Sequence, residues 1–307
     1  MNRLALAAAF LLMVPGARAA SLDLPIQAAL LLEEPPSAPA PSAKPQRNVD
    51  GIMDNSFLVE EAYNQDAGVV QHIFNAVYGL NLLAGPDENR TDFSFTQEWP
   101  VFSQTHQFSY TLFGSTIHAG GRSESGFGDM MLNYRYQAYF DEQTLTALAP
   151  RFTLILPTGD ASRGFGNDTV GYQWALPFST ALGDSWFVHA NAGLTFLPNA
   201  GPGQRHDLLN YNLGASAIYA LSPKFNLMLE WIGLWQESPD NTGGTSYDFE
   251  SVISPGFRQA FNFSNGSQLV LGLAVPMGLT GPAADFGAFL ADMGRKRESH
   301  PRSCCLH

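Results

Sequence analysis

Gly171-Tyr-Gln-Trp-Ala-Leu-Pro-Phe-Ser-Thr-Ala-Leu-Gly-Asp-Ser-Trp-Phe-Val-His-Ala-Asn-Ala-Gly-Leu-Thr-Phe-Leu197 is the stretch on which the fold turns. Taken at every second residue, its first arm gives Tyr172, Trp174, Leu176, Phe178, Thr180 and Leu182, with Gln173, Ala175, Pro177, Ser179 and Ala181 between them. A period of two marks a strand with one apolar face. After Gly183-Asp184-Ser185 the alternation resumes: Trp186, Val188, Ala190, Ala192, Leu194 and Phe196 against Phe187, His189, Asn191, Gly193 and Thr195. Each arm is about 11 residues long, the length a tilted strand needs to cross a bilayer. Aromatic residues gather at the arm ends, at Tyr172, Trp186 and Phe196, as in the girdles of transmembrane barrels. A soluble sandwich also alternates, so the hairpin alone leaves both architectures open.

The connections separate them. The same alternation recurs over residues 69–77, 93–101, 106–113, 127–140, 147–156, 208–221, 225–235, 247–261 and 268–277, and begins again at 286–290. Short turns are expected at 102–105, 141–144, 183–185, 222–224 and 262–267, and longer loops at 78–92, 114–126, 157–170, 198–207, 236–246 and 278–285. Short and long take turns, as they do when every second connection faces the periplasm. A Greek-key sandwich has no cause to do this. The expectation is an all-β protein, an antiparallel up-and-down transmembrane β-barrel of about 12 strands within residues 55–290. Residues 55–66 are too polar on both faces for a spanning strand.

Composition agrees. Of 307 residues 14% are charged, against about 25% in soluble domains, yet the mean hydropathy is only -0.07. Apolar residues are thus scattered singly among polar ones, as a lipid-facing exterior around a polar lumen demands. A net charge of -12 speaks against a nucleic-acid partner, which requires clustered Lys and Arg. Cys304 and Cys305 are adjacent and offer neither a disulfide framework nor zinc spacing.

Residues 1–19 order Arg3, an apolar run and Ala17-Arg18-Ala19 as a secretory signal peptide does, with cleavage expected after Ala19. No cysteine follows that site, and no later run reaches the roughly 18 apolar residues of a membrane helix. Residues 20–54 form a Pro- and Ala-rich periplasmic arm, extended because proline removes backbone donors. At the other end the alternation stops after Leu290, and 291–307 form an atypical basic tail. A change of reading frame near Leu290 would explain it. Translating the other two frames tests this, since one should restore an alternating strand with a terminal aromatic.

By their phase, Glu98, Asp129, Arg135, Arg151, His189, Glu230, Glu250 and Arg258 face the lumen. Their mixed signs could pair and brace the interior, the favoured reading, or could create a field that selects solutes. About twelve strands is intermediate between a filled barrel of about 8 and an open channel of about 16. Residues 159–168 lack the Gly-Lys-Ser/Thr ending of a phosphate loop; Asp160 and Asp168 could hold calcium, though a polar loop is the simpler reading. Ser179 and His189 both point inward, whereas a barrel lipid hydrolase needs them against lipid. The remaining histidines show no metal-ligand spacing.

The segments Phe127-Gly-Asp-Met-Met-Leu-Asn-Tyr-Arg-Tyr-Gln137 and Ala149-Pro-Arg-Phe-Thr-Leu-Ile-Leu-Pro-Thr-Gly-Asp160, with the opening hairpin, resemble the bacterial outer-membrane family labelled phenol-degradation meta-pathway transporters. The resemblance runs from about Asn55 to Phe289, and its most specific piece is the strand exit Pro157-Thr-Gly-Asp160. It implies a barrel channel for aromatic compounds. The expected protein is therefore a passive conduit in the outer membrane, without enzymatic activity, cofactor or metal. Its partners would be outer-membrane lipid and lipopolysaccharide, the barrel-assembly machinery and a small solute. The alternatives are a plugged structural or surface barrel and a barrel lipid hydrolase.

Overall fold

The computed structural model describes residues 52, 56–80, 89–201, 203, 205–240, 243–281 and 283–297. The expected signal peptide, nearly all of the expected arm and residues 298–307 lie outside the described residues. In chain order the strands are β1 (Val69–Leu80), β2 (Asn89–Val101), β3 (Ser103–Ala119), β4 (Arg122–Phe127), β5 (Met130–Tyr136), β6 (Tyr139–Asp141), β7 (Thr146–Leu148) and β8 (Arg151–Leu156). After a 3-10 turn at Ala161–Arg163 come β9 (Gly171–Leu182), β10 (Trp186–Ala200), β11 (His206–Ser222), β12 (Phe225–Pro239), β13 (Thr245–Asn262), β14 (Gln268–Ala274), β15 (Met277–Gly278) and β16 (Phe286–Arg297).

These segments make twelve staves, because β4 to β6, β7 with β8, and β14 with β15 each form one interrupted stave. Every neighbouring pair is antiparallel, and β1 meets β16 from Val69↔Arg297 to Leu80↔Phe286. That last ladder closes the barrel. Lipid supplies no hydrogen bonds, so a spanning sheet must leave no edge unpaired.

The greasy face looks outward. Trp174, Leu213 and Leu271 are 46%, 44% and 40% exposed, whereas a sandwich would bury them at a gain of roughly 1.5–3 kcal/mol each. Aromatic pairs ring both ends: Trp186 against Tyr219 and Trp99 against Phe108 near the short turns, Trp235 against Phe249 and Tyr211 against Tyr247 near the long loops. The inward face carries the buried polar residues, among them Gln107, Asn133, Thr153, Ser179, Ser216, Ser254 and Arg258.

Several long connections prove to be strand rather than loop. The expected loop at 114–126 is the paired end of β3 and β4, turning through Gly120 and Gly121 with φ of 56° and 75°. Two successive positive φ values define the turn whose twist suits a hairpin, and glycine adopts them without strain.

The C-terminal expectation needs correction. Pairing does not stop at Leu290; β16 continues to Arg297 between β1 and β14. Ladder bonds are made by the backbone, so the slot is filled whatever side chains follow. The side-chain pattern does break there. Asp292 stands on the outward parity, in register with the exposed Phe74 and Leu271, where an acid is costly in a lipid-facing wall.

Candidate functional site

Residues 56–66, expected only to be non-spanning, lie inside the barrel. The described chain contacts the short-turn end at Ile52, whose N–H donates to Pro223 O. It reaches mid-lumen at Phe57 to Glu60 and returns to that end at Asp66, whose carbonyl accepts from Val69 N at the start of β1. Such a U-turn has no internal ladder, so its backbone groups must find partners in the wall.

Glu230 on β12 meets that need at the apex. Its carboxylate accepts the N–H groups of Phe57 (3.0 and 3.1 Å), Leu58 (3.1 Å) and Val59 (3.1 Å). Glu61 braces the loop from within by accepting Ser56 N at 2.6 Å. Ser56 Oγ donates to Ser216 Oγ, and its carbonyl accepts from Arg258 Nη2. The Arg258 guanidinium also lies 4.3 Å over the Phe57 ring, a cation–π contact.

Space for the apex comes from glycines on the lumen face. A Cβ on Gly272 would lie 2.5 Å from Phe57 Cζ, one on Gly256 3.0 Å from the same ring, and one on Gly214 3.1 Å from Val59 Cγ2. The descending limb is tied as closely. Arg135 donates to Asn64 Oδ1 (2.8 Å), Glu61 O (2.9 Å) and Tyr63 O (2.8 Å), while Gln137 Nε2 donates to Ala62 O. Asn64 Nδ2 reaches Gln104 O and Thr105 O, Gln65 N donates to Gln107 Oε1, and Tyr63 Oη donates to Leu145 O.

Charge is balanced across the same contacts. Glu60 takes both oxygens to Arg151 Nε (2.9 and 2.8 Å) and lies 3.4 Å from Arg135 Nη1. Cavities remain on both sides of the segment. One of about 310 Å³ lies against Leu58, Val59 and Glu60, bounded by Asn191, Asn212 and Ile232. One of about 200 Å³ lies toward Gln71, Glu98 and Met293. A third, of about 550 Å³, sits beneath the outer loop and shares Gln173, Thr195 and Asn210 with the first.

The sequence-derived lumen residues divide accordingly. Arg135, Arg151, Glu230 and Arg258 converge on the inserted segment. His189 is buried and bonds Ser179 through Nδ1 at 2.7 Å, and Ser179 Oγ accepts Ala62 N. Ser179 and His189 are both 0% exposed, so this pair seats the segment and presents no nucleophile to lipid. Glu98 borders the cavity of about 200 Å³. Glu250 pairs with Leu234, four residues toward the long loops from Ser254, or about 13 Å along the strand.

Asp129 does a different task. At the break between β4 and β5 it accepts Gly159 N (2.9 Å), Asn167 N (2.8 Å) and Asn167 Nδ2 (2.9 Å), anchoring the outer loop. Asp160 and Asp168 do not share a site. Asp160 caps the 3-10 turn, and the Ser162 hydroxyl bonded to it holds its carboxyl below the usual range. Asp168 pairs with Arg205. Among the described residues no group of three or more His, Cys, Asp or Glu gathers to hold a metal.

The principal site residues that phase could not supply are Ser56, Phe57, Glu60, Glu61, Tyr63, Asn64 and Gln65, because they belong to no strand. The available signal was indirect: glycines at 214, 256 and 272 occupy inward positions where a polar lumen calls for polar side chains.

No curated protein sequence matches the chain. Among solved structures it is similar to an outer-membrane channel of Pseudomonas putida F1, with 14% identity and a TM-score of 0.63 over 78% of this chain and 100% of that one. It is less similar to the transport unit of the autotransporter AIDA-I of Escherichia coli, at 10% identity, TM-score 0.43, 80% of this chain and 95% of that one. The KdgM porin follows at 10% identity and TM-score 0.37, over 75% of this chain and 99% of that one. The first likeness agrees with the twelve-stave architecture of an outer-membrane barrel. Residues 63–286, which include every stave but β16, of which they reach only the first residue, match the family described as "Putative MetA-pathway of phenol degradation", and the chain belongs to that family.

Proposed function

We propose that this protein is an outer-membrane channel for passive passage of small solutes, aromatic compounds among them, with residues 56–66 setting its conducting cross-section. After signal-peptide-directed export and assembly, outer-membrane lipid and lipopolysaccharide would cover the exposed belt. The observation that carries the reading is the manner in which the lumen is filled. Phe57, Ala62 and Tyr63 pack against the wall, but the Leu58 to Glu60 apex is held by hydrogen bonds and ion pairs to wall side chains, with cavities on both sides of it. Each polar tie that is replaced by one to water or solute costs only about 0.5–1.5 kcal/mol, and a twelve-strand lumen, between a filled barrel of about 8 and an open channel of about 16, conducts or closes according to where the segment sits. The family description supports aromatic solutes.

Planar-bilayer recording tests this. The full chain should give discrete steps, and a variant lacking residues 56–66 should give steps several-fold larger. Silence from the full chain with steps from the variant would leave the second reading, a plugged structural barrel, which the occupied mid-lumen favours; silence from both would refute the channel reading. Swelling of liposomes with phenolic and sugar solutes then measures selectivity; equal rates would leave a general pore.

A further inference from the structure

Glu60 does to Arg151 what a solute carboxylate would do. The guanidinium of Arg151 is fixed by the wall, with Nη1 donating to Asn133 Oδ1 and Thr153 Oγ1 and Nη2 to Gln173 Oε1. Its Nε edge is turned to both oxygens of Glu60. Arg135 brings a second guanidinium to the same carboxylate, itself held by Asn64 and the carbonyls of Glu61 and Tyr63. Two immobilised guanidinia converging on one carboxylate form a preorganised anion site.

The site is open to a solute. The side chains of Arg151 and Glu60 remain 16% and 22% exposed, and both line the cavity of about 310 Å³. That cavity also has apolar lining, from Leu58, Val59, Ile232 and Leu234. Through Gln173, Thr195 and Asn210 it adjoins the larger space beneath the outer loop, so a molecule coming from the long-loop end meets Arg151 above the segment. A flat ring on the apolar lining, with its acid on Arg151 in the place of the Glu60 carboxylate that Arg135 approaches from the other cavity, uses both surfaces.

We infer that Arg151 and Arg135 form a binding site for small aromatic carboxylates, and that Glu60 occupies it as an internal competitor until solute displaces it. Displacement removes an ion-pair tie from the apex and favours opening. The opening step rests on the channel reading above; the binding step does not.

Isothermal titration of the detergent-solubilised full chain, with benzoate and its neutral analogue benzyl alcohol as probes, separates the two. Glu60→Gln removes the competitor and should bind benzoate about tenfold more tightly than the unaltered protein, with benzyl alcohol unchanged. Arg151→Lys keeps the charge and loses the fork, and should weaken benzoate by about tenfold in the Glu60→Gln background. Heat-modifiable gel mobility confirms that each variant is a folded barrel. Equal benzoate affinity in the unaltered and Glu60→Gln proteins, benzyl alcohol binding as tightly as benzoate, or indifference to Arg151→Lys overturns the assignment. Benzoate-stimulated current in bilayers, lost in Glu60→Gln, is expected on top of binding. Binding without any current from the chain lacking residues 56–66 refutes the channel reading and spares the site.

Discussion

Two segments fold across this barrel, one from each end, and a wall carboxylate holds each of them. Glu230 receives the backbone N–H groups of Phe57, Leu58 and Val59, and Asp129 receives those of Gly159 and Asn167. The fit around them differs. At the outer loop, a Cβ on Gly159 would lie 2.1 Å from Phe165 O, and one on Gly166 2.7 Å from Asp129 Oδ1. Phe165 is itself buried against Gly126. That loop is locked by backbone close to backbone. The inner segment is close-packed at Phe57 and again at Ala62 and Tyr63, which bury against Ala147 and Ala149, while its Leu58 to Glu60 apex lies between cavities and is tied by polar bonds. Under the proposed function, the same anchoring chemistry would yield a fixed rim at one end and a displaceable constriction at the other.

The largest effect should follow loss of the inner anchor. Glu230→Ala leaves three amides of the apex without their acceptor and takes a buried negative charge from a lumen that also holds Arg258, at a cost of roughly 3–5 kcal/mol to the inserted state. Bilayer conductance should approach that of the chain lacking residues 56–66. Glu230→Gln retains one acceptor oxygen and should fall between the two. A conductance unchanged by Glu230→Ala would mean that the inner segment is as rigid as the outer loop.

The sequence reveals the wall far better than its contents, for physical reasons. Trp174 and Gln173 announce their faces because a strand projects successive side chains to opposite sides. Nothing of the kind acts on residues 56–66, whose partners are remote: Phe57 and Glu230 are 173 positions apart. Arg135, Arg151 and Arg258 are legible as inward cations, but what they hold is not. Asp129 misleads because it sits where the stave breaks, so its carboxylate serves a loop although its parity is that of the lumen. The end of β16 misleads in the opposite sense, since Asp292 breaks the outward pattern while its backbone goes on pairing.

At the rim, Asp129→Ala should cost the folded loop about 2–3 kcal/mol, because two backbone N–H groups lose a charged acceptor. Trypsin cleavage after the exposed Arg163 reports it. Cleavage should quicken by well over tenfold while the single-channel step stays within a factor of two. A large change in the step would erase the distinction between rim and constriction.

Gly272→Leu attacks the constriction by volume instead of charge. Its side chain would claim the place of the Phe57 ring, and overpacking of this kind costs about 1–3 kcal/mol. Conductance should rise, by less than in Glu230→Ala, and trypsin cleavage at Arg163 should not change. If Gly272→Leu instead accelerates that cleavage, the two segments move together.

The smallest effect belongs to the rim's surface charges. Arg205 donates to Asp168 Oδ2 at 2.5 Å, yet both side chains are more than 40% exposed. Water screens such a pair, and holding two flexible side chains in one geometry costs entropy, so its worth is about 0–1 kcal/mol. Arg205→Ala should therefore alter trypsin cleavage at Arg163 by less than about threefold, and molar salt should abolish even that difference. A larger, salt-insensitive change would show that the outer loop is held by its charges as the inner segment is, and the contrast between a locked rim and an exchangeable constriction would then rest on Phe165 and its glycines alone.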